Sequence, residues 1–413
     1  MKAIVIGAGI IGLTTAYELS RSGIDVTVIE RNSSSAEETS FANAGLIAEG
    51  HAFAWGNPAI FRQLLNPSSN THSAFSLKWS WDRQFLGWGM NFLRNCTSKR
   101  FYRNTKAKQE MCRYSHTILS EIIDDEKIDC CYNGNGLLYL HRDIETLTQT
   151  EAKLKTFPDL IPELKILNSH DLVEFDSSFN KSPVSFAGAV YCPNDASGDC
   201  FTFTKQLEHI CINNGVHFRF NKMVNRIIID KGNVKSIETE NDQLDADIFV
   251  IACGPFTPVL CRKVGINIPI YPVKGYSLTL PIIKVDRIPK VNGIDEENFT
   301  AFCRIDDKMR ITSRAELCGY DKSIDPKTVQ KLIINAKQIF ADALDYKNPN
   351  PWTGLRPATP TGPPFVSATK FPNVYVNSGH GHLGWTMACG SARLLKDIIL
   401  KLKPEISPIA YSL

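Results

Sequence analysis

Three glycines near the N-terminus have the spacing of a turn that binds a diphosphate. Gly7, Gly9 and Gly12 fit the pattern G-x-G-x-x-G directly after residues 3–6, a short apolar run of the kind that forms a buried strand. The first glycine allows a sharp turn, the second lets backbone approach a pyrophosphate, and the third lets a helix pack closely on the strand. The spacing therefore predicts a dinucleotide site.

An acidic residue follows these glycines at the distance that such a site needs. Residues 11–20 have helical character, Gly23 ends that helix, and residues 25–30 read as a second strand with Glu30 at its tip. The helix N-terminus attracts phosphate, and a carboxylate at the strand tip accepts hydrogen bonds from a ribose. Because the ribose acceptor is an acid, we expect NAD or FAD rather than NADP. The alternative, an ordinary βαβ unit with chance glycines, is the weaker interpretation.

The composition is that of an ordinary globular protein. The chain has 413 residues, of which 43% are apolar and 22% charged, with a net charge of +3. This length predicts two domains, and this charge does not indicate a nucleic-acid partner. We expect a cytoplasmic protein, since no apolar run could span a bilayer and no cleavable signal precedes the first strand. The twelve cysteines lack metal-ligand spacing, so we expect reduced thiols and no metal.

Two further segments have unusual compositions. Residues 39–46 are small or carry hydroxyls, which suits a second pass of backbone along the same ligand; the alternative is a helix start capped by Thr39 or Ser40.

Residues 75–108 combine several Trp and Phe with eight Lys or Arg and one acid, Asp82. This combination is typical of a helix at a membrane interface, but we slightly favour helices that pack their aromatic side chains into the second domain.

The pattern of elements predicts an α/β fold. Apolar strands at 247–253 and 374–376 would join the N-terminal strands in a Rossmann-like sheet, whereas residues 270–280 and 302–311 resemble antiparallel strands. Helices are expected at 328–344 and 387–402. We expect a discontinuous dinucleotide-binding domain formed by 1–75, 187–265 and 345–413, with an inserted α+β, antiparallel-sheet substrate domain formed by 76–186 and 266–344.

Motifs along almost the whole chain resemble the FAD-dependent D-amino-acid oxidase superfamily, and within it the D-amino-acid dehydrogenase small-subunit family. They are GAGIIG with VIE, ETSFANAG at 38–45, PNDASGDC at 193–200, YPVKGYSLTLPI at 271–282, WTGLRPATPTG at 352–362 and NSGHGHLGWTMACGSARLL at 377–395. The resemblance implies non-covalent FAD and oxidative deamination of free D-amino acids to 2-oxo acids and ammonia, by hydride transfer from Cα to flavin N5. It also implies a quinone or other membrane electron acceptor, and residues 75–108 could then contact the inner face of the cell membrane.

The resemblance assigns the cofactor contacts to positions in these motifs and beside the buried strands. They are Gly7, Gly9, Ile10, Ile11, Gly12, Glu30, Arg31, Thr39, Ser40, Asn43, Ala44, Gly45, Leu46, Val224, Ala252, Cys253, Gly254, Gly379, His380, Gly381, Leu383, Gly384, Trp385 and Thr386. Physically, glycines let backbone approach a flat ring, and a helix N-terminus at residues 384–387 would stabilise the negative charge that a reduced flavin carries. The alternative is a glycine-rich loop with a purely structural helix cap.

Three residues are candidates for the catalytic site. Arg356 resembles the arginine that holds the substrate carboxylate, and a planar guanidinium gives a two-bond grip that fixes Cα. Tyr276 would be a second carboxylate contact, although a sheet tyrosine is an equal alternative. His51 could assist deprotonation of the substrate amine, although a loop histidine is more often a structural hydrogen-bonding group.

The chain also departs from the family pattern. His51 replaces an aromatic residue, Thr312 and Ser313 followed by Arg314 replace a Gly-Gly, and Thr361 replaces an acid. The first two departures would border the substrate pocket, so the preferred side chain need not be the usual small apolar one. The alternatives are a D-hydroxyproline or proline-type, or a glycine or sarcosine-type, flavin amine dehydrogenase or oxidase and, more distantly, a non-catalytic FAD-binding subunit.

Overall fold

The computed structural model describes residues 1–58, 75–77, 82–157 and 163–413. The strands are β1 Lys2–Ile6, β2 Asp25–Ile29, β3 Leu46–Ile47, β4 Phe75–Leu77, β5 Leu137–His141, β6 Lys165–Asn168, β7 Gly188–Cys192, β8 Ala196–Ser197, β9 His217–Arg219, β10 Arg226–Asp230, β11 Asn233–Glu238, β12 Gln243–Asp245, β13 Ile248–Ile251, β14 Tyr271–Pro281, β15 Gly293–Asp295, β16 Thr300–Ile305, β17 Lys308–Leu317, β18 Asn350–Ala358, β19 Phe365–Ala368 and β20 Val374–Ser378. The helices are α1 Ile10–Arg21, α2 Arg83–Asn95, α3 Ser98–Glu126, α4 Ile144–Leu154, α5 Ser169–Phe175, α6 Cys200–Asn213, α7 Thr257–Arg262, α8 Pro326–Phe340 and α9 Gly384–Leu400.

The first sheet is mostly parallel and contains the N-terminal strands. Within the described residues its order is β19-β20-β13-β1-β2-β9, with only β19 antiparallel to its neighbour. Val5 on one face and Ile4 on the other are both buried, because helices or loops cover both faces of a parallel sheet. The strands expected at 3–6, 25–30, 247–253 and 374–376 are thus found, with small shifts at their ends.

Helices α1, α3, α6 and α9 share one core with this sheet. The core contains Leu13 of α1, Met111 of α3, Leu207 of α6 and Leu394 of α9. Helices α3 and α9 approach closely, since a Cβ built on Gly390 would lie 2.8 Å from Cα of Ser115. Helix α9 begins at Gly384, three residues earlier than the pattern predicts.

The second sheet is larger and mostly antiparallel. In the described part of the chain its order is β18-β14-β17-β16-β15-β5-β7-β6, with β4 beside β17. Helix α8 covers one face of this sheet and packs Leu332 and Phe340 against Leu278 and Ile311. The other face is directed towards the first sheet. The predicted fold class, a Rossmann-like sheet combined with an antiparallel one, is confirmed.

Several elements join a different sheet from the one that the expected domain limits assign to them. Strands β7 and β18 fall within the segments predicted for the dinucleotide-binding domain but pair in the larger sheet, whereas α3 falls in the substrate segment but packs on the parallel one. The division into the stated segments stays a prediction. The alternative of a helix start at Thr39 or Ser40 is wrong: residues 39–45 form turns that lead into β3, which pairs with β8.

After β4, the described part of segment 75–108 consists of α2 and the first turns of α3. Trp88 of α2 is buried and donates from Nε1 to the Ala358 carbonyl at 2.8 Å, as expected for helices that pack aromatic side chains inward. Lys108, which the sequence suggested for the basic face, is 2% exposed and donates to the Phe53 carbonyl at 2.8 Å. Trp79 and Trp81 lie outside the described residues. Among the described helices, none has an apolar stretch long enough to cross a bilayer.

Candidate active site

A cavity of about 1390 Å³ lies where the two sheets face each other. Its walls include Ile6 and Ile29, at the carboxyl ends of two parallel strands, and Ala301 and Thr312 on the larger sheet. Ligands of α/β proteins bind at this end of a parallel sheet. Pockets for one small ligand usually measure roughly 300–1,000 Å³, so this cavity has room for a large cofactor and a substrate.

The glycine-rich turn forms one end of the cavity. Gly7 has φ +110° and donates its N–H to the Ile29 carbonyl at 2.8 Å. A Cβ on Gly7 would lie 2.6 Å from the Ala252 carbonyl oxygen, and a Cβ on Gly12 would collide with the Gly7 carbonyl. The turn therefore needs glycine at both positions, as the fingerprint predicts. It directs the N-terminus of α1 at the cavity, and Ser40 Oγ accepts a hydrogen bond from Ile10 N at 3.0 Å.

The carboxylate of Glu30 is held at the rim of this end. Oε2 accepts from Ala8 N at 2.8 Å and Oε1 from Asn32 N at 2.9 Å. Each carboxylate oxygen has a second lone pair, so the group can still accept hydrogen bonds from a bound ribose. Beside it, the Arg31 guanidinium lies 3.8 Å from the ring centroid of Phe256.

The segment after Glu30 runs along the cavity, as a second backbone pass would. Gly45 has φ +74°, and a Cβ there would lie 2.7 Å from Cys303 Sγ of the larger sheet. Thr39 Oγ1 donates to the Leu355 carbonyl at 2.7 Å. Both contacts link this segment to the strands of the larger sheet, so its course depends on that sheet.

The loop before α9 forms another part of the cavity wall. Gly381 has φ +58° and begins a short 3-10 turn, which leads into α9 at Gly384. His380 Nε2 lies 2.9 Å from Ser391 Oγ, and burial lowers the pKa of His380 to about 3. The imidazole is therefore neutral and fixed to α9. The N-terminus of α9 contributes the positive end of its dipole to the cavity.

The structure brings nearly all predicted cofactor positions to this one cavity. Lining residues among them are Gly7, Gly9, Ile10, Ile11, Glu30, Arg31, Thr39, Ser40, Asn43, Ala44, Gly45, Leu46, Val224, Ala252, Cys253, Gly254, His380, Gly381, Leu383, Gly384 and Trp385. Gly12, Gly379 and Thr386 lie behind the wall. A Cβ on Gly379 would meet Thr359 Cγ2 at 2.6 Å, and Thr386 Oγ1 accepts from Ala48 N at 3.3 Å. These three residues support the cavity wall from behind and are not part of its lining.

Arg356 points into the cavity from β18. Its guanidinium lies over Gly275 of β14, where a Cβ would be 2.5 Å from Nη1, and Nη1 donates to the Arg314 carbonyl at 2.7 Å. Burial lowers the pKa of Arg356 to about 10, and no carboxylate among the described residues offsets this effect. Arg314, at φ +70°, directly follows Thr312 and Ser313, which replace the Gly-Gly of the family pattern. The result is a half-buried cation on the cavity wall.

Tyr276 is placed differently from the sequence expectation. In the pairing of β14 with β18, Tyr276 is opposite Thr353 and Val273 is opposite Arg356, so Tyr276 and Arg356 project from opposite faces. The Tyr276 ring packs in the core beneath α8, and its hydroxyl lies 3.4 Å from Glu316 Oε2. Tyr276 is also among the residues that line the cavity. The role of Tyr276 as a carboxylate contact stays a prediction, and the hydroxyl's observed partner is Glu316.

His51 lines the cavity at the end of the larger sheet away from β18. Its ring stacks on Tyr139 at 4.5 Å, and Nε2 lies 3.4 Å from Glu296 Oε1. Removal from water, with the charges of Lys153 and Lys108, lowers the pKa of His51 to about 3. The imidazole is therefore neutral near pH 7.

Sequence reasoning missed several residues at this end. Glu296 and Lys153 both line the cavity, and burial raises the pKa of Glu296 to about 7. Lys153 Nζ lies 3.7 Å from the ring centroid of Phe53. His382 stacks on Trp55 with ring centroids 4.8 Å apart. His382 lies in the recognised C-terminal motif and could have been noted, but no local pattern identified Glu296 or Lys153.

The residues present fit FAD. A glycine-lined turn at a helix N-terminus suits the diphosphate, Glu30 suits the adenosine ribose, and a second helix N-terminus at Gly384 suits the electron-rich edge of a flavin. The cavity connects these groups and continues to Arg356. The backbone and side chains of this cavity could thus hold both halves of the cofactor and a carboxylate beyond it.

Known proteins resemble this chain over almost all of its length. Residues 2–398 match the family described as "DAO: FAD dependent oxidoreductase". The D-amino acid dehydrogenase of Vibrio vulnificus (strain YJ016) is 35% identical over 399 residues, which are 97% of this chain and 96% of the relative. That of Allorhizobium ampelinum is 36% identical over 407 residues, 98% and 96% respectively. The crystal structure of glycine oxidase from Geobacillus kaustophilus superposes with a TM-score of 0.76 at 18% identity, covering 100% of this chain and 97% of that one.

Proposed function

Because the chain belongs to the DAO family of FAD-dependent oxidoreductases, we propose that it oxidises free D-amino acids to 2-oxo acids and ammonia. The family membership predicted from the sequence motifs is confirmed, and with it FAD as the cofactor. The named activity of the relatives supports the D configuration of the substrate. The geometry of the cavity supports a substrate that carries a carboxylate.

The observation that carries this proposal is the isolated guanidinium of Arg356. A buried charge without a partner is costly, so such groups usually meet an opposite charge from a ligand. Arg356 lies on the wall of the cavity, and no described carboxylate offsets the effect of its burial. A planar guanidinium matches the two oxygens of a substrate carboxylate. An amine substrate without a carboxylate would leave this charge unpaired.

The chain's own residues would act by holding the substrate. Arg356 fixes the carboxylate and therefore the position of Cα, Gly275 provides the space beneath the guanidinium, and the Arg314 carbonyl sets its orientation. Accurate placement of the reacting carbon accounts for a large part of such catalysis. When bound, FAD would supply the oxidising power for removal of a hydride from Cα. Since the pKa of His51 is about 3, we do not assign the proton of the substrate amine to this residue.

We extend the proposal to the electron acceptor, which would be a quinone or another membrane acceptor. Support comes from α2 and the start of α3, where Met90 is 58% and Leu93 38% exposed and where Arg100 and Arg103 are also exposed. Apolar side chains flanked by cations suit an anionic membrane surface. The protein would then act at the inner, cytoplasmic face of the cell membrane, and its twelve unpaired cysteines are consistent with that reducing compartment.

Anaerobic reduction of the bound flavin tests the activity. The purified holoprotein would be mixed, without oxygen, with a panel of D-amino acids, their L-enantiomers, glycine, sarcosine, and proline and hydroxyproline of both configurations. We expect several D-amino acids to bleach the flavin absorbance and their enantiomers to leave it unchanged. Bleaching by cyclic or secondary amines alone would favour a proline or sarcosine-type enzyme. A flavin that no substrate reduces would favour a non-catalytic FAD-binding subunit.

A further inference from the structure

A group of polar side chains at the far end of the cavity is assigned neither to the cofactor nor to the substrate carboxylate. Glu296 follows β15, His51 follows β3, and Lys153 belongs to α4, so three separate parts of the chain converge there. Glu296 Oε1 lies 3.4 Å from His51 Nε2, while Lys153 Nζ lies over the Phe53 ring. Polar groups in an otherwise apolar pocket wall usually fix the orientation of a ligand.

Sheet order places Glu296 three strands away from the residue beneath Arg356. Gly275 lies on β14, and the larger sheet continues from β14 through β17 and β16 to β15, which ends directly before Glu296. Neighbouring strands lie roughly 4.8 Å apart, so roughly 14 Å across the sheet separate Gly275 from Glu296.

This distance sets the length of the substrate that reaches both groups. A hydrogen bond of about 3 Å at each end leaves about 8 Å between the substrate carboxylate and its side-chain polar group. A chain of six or seven bonds, each advancing about 1.25 Å, bridges that gap, whereas a methyl or hydroxymethyl side chain does not. The side chain would have the length of lysine or arginine.

The chemistry at this end favours a hydrogen-bond donor. Glu296 Oε1 is buried and accepts no hydrogen bond of good geometry from the described residues. The Glu296 side chain as a whole is 18% exposed on the cavity wall. Oε2 is then the oxygen available to a ligand. Lys153, the nearby cation, already has the Phe53 ring as a partner. The acceptor at Glu296 is thus the group in need of a counterpart, and a ligand N–H group supplies it.

We propose that Glu296 determines substrate specificity, and that the preferred substrates are D-amino acids whose long side chain ends in an N–H donor, as in D-lysine and D-arginine. This inference rests on the proposed D-amino-acid oxidation. Arg356 binds the carboxylate and Glu296 binds the far nitrogen through Oε2, while His51 Nε2 lies 3.4 Å from the other oxygen, Oε1. When Glu296 is ionised, its hydrogen bond to an ammonium or guanidinium is stronger than a hydrogen bond between neutral groups.

The test compares two substrates of matched length in the holoenzyme. D-norleucine has the carbon chain of D-lysine without the terminal nitrogen, so the ratio of kcat/KM for D-lysine to that for D-norleucine isolates recognition of the nitrogen. We expect the native ratio to exceed about ten, and Glu296→Gln and Glu296→Leu to bring it towards one, since a hydrogen bond to a charged group is worth about tenfold or more. The loss should appear in KM. Flavin content reports whether each variant is folded.

The outcomes separate this inference from the proposed function. If D-lysine and D-norleucine react equally well in the native enzyme, or if neither Glu296 variant alters their ratio, Glu296 has no role in specificity although D-amino-acid oxidation stands. If D-glutamate is the better substrate and D-lysine a poor one, Lys153 is the recognising group and our assignment is wrong. If no D-amino acid, D-alanine and D-norleucine included, reduces the flavin, the proposed function fails and this inference fails with it.

Discussion

The guanidinium of Arg356 rests directly on Gly275. The two residues lie on the paired strands β18 and β14, and a Cβ on Gly275 would be 2.5 Å from Nη1. The absence of a side chain at Gly275 is therefore what lets Arg356 lie along the sheet and reach the Arg314 carbonyl. The proposed carboxylate site depends on a glycine as much as on an arginine.

Gly275→Ala should weaken substrate binding without loss of the cofactor. The added methyl group would displace the guanidinium, and a misplaced carboxylate contact costs about 2–3 kcal/mol, roughly 30- to 150-fold in kcat/KM. Steady-state kinetics and flavin absorbance measure the two effects. Gly87→Ala is the matched control: a methyl group added to this helical glycine would meet nothing within 4 Å, so activity should be unchanged and the protein slightly stabilised. Equal activity of both variants would contradict the account.

The features that the sequence could predict are those formed by residues close together in the chain. The turn at Gly7 and Gly12, helix α1 and Glu30 occupy thirty consecutive residues, and their chemistry follows from spacing alone. The cofactor contacts of the motif around Gly384 could also be predicted from the sequence. The exceptions are Gly379 and Thr386, which lie behind the cavity wall. Whether a residue near a cofactor lines its pocket or supports it is a matter of packing, which spacing does not report.

The substrate end was less predictable because it is made by long-range pairing. Tyr276 and Arg356 project from opposite faces of one strand pair, a relationship that register between distant segments decides. Glu296 and Lys153 meet His51 only after strands β14 to β17 and helix α4 have assembled. Lys108 belonged by composition to an exposed basic segment, yet its position on α3 buries it next to the Phe53 carbonyl.

Gly12→Ala should abolish or severely weaken cofactor binding. The Cβ would collide with the Gly7 carbonyl, so that α1 would have to move away from the turn and from the diphosphate. We expect protein purified with a small fraction of the native flavin content, measured by absorbance after denaturation. Gly87→Ala again serves as the control and should retain full flavin. Stoichiometric FAD in Gly12→Ala would show that the turn is not the diphosphate site.

The stability of Glu296→Gln relative to the native holoprotein should depend on pH. The carboxyl group of Glu296 has an ordinary pKa of 4.5 when unfolded, and burial raises it to about 7 in the folded protein, with Lys153 opposing and Asp295 adding to the shift. Folding then favours the protonated form, and this contribution is lost as pH rises from about 4.5 to 7. His51, with a pKa of about 3, stays neutral in this range.

Since glutamine does not ionise, the variant should gain stability relative to the native protein across that window, by at most about 3 kcal/mol above pH 7. Thermal melting at pH 5 and pH 8.5 measures the difference. The exposed Glu240 provides the control, because Glu240→Gln should give the same difference at both pH values. A Glu296→Gln difference that does not change with pH would show that the carboxyl group is ionised normally in the folded protein.

Charge reversal on α3 should weaken binding to anionic vesicles. Each exposed Lys or Arg near a membrane surface contributes about 1 kcal/mol, so replacing Lys99, Arg100 and Arg103 by Glu should reduce binding by well over tenfold. Sedimentation with phosphatidylserine-containing vesicles measures it. Reversal of the exposed Lys331 on α8 is the control and should have little effect. Vesicle binding that survives the triple reversal would exclude this surface as the membrane contact.

The most direct test of the central claim is anaerobic flavin reduction by one D-amino acid, its L-enantiomer and its carboxamide, in the native protein and in Arg356→Met. The account predicts that only the D-acid reduces the native flavin rapidly. Loss of a buried charge contact of about 2–5 kcal/mol should lower the second-order rate constant in Arg356→Met by roughly 30-fold or more, with flavin still bound. A carboxamide that reacts as fast as the acid, or an Arg356→Met variant with the native rate, would contradict it.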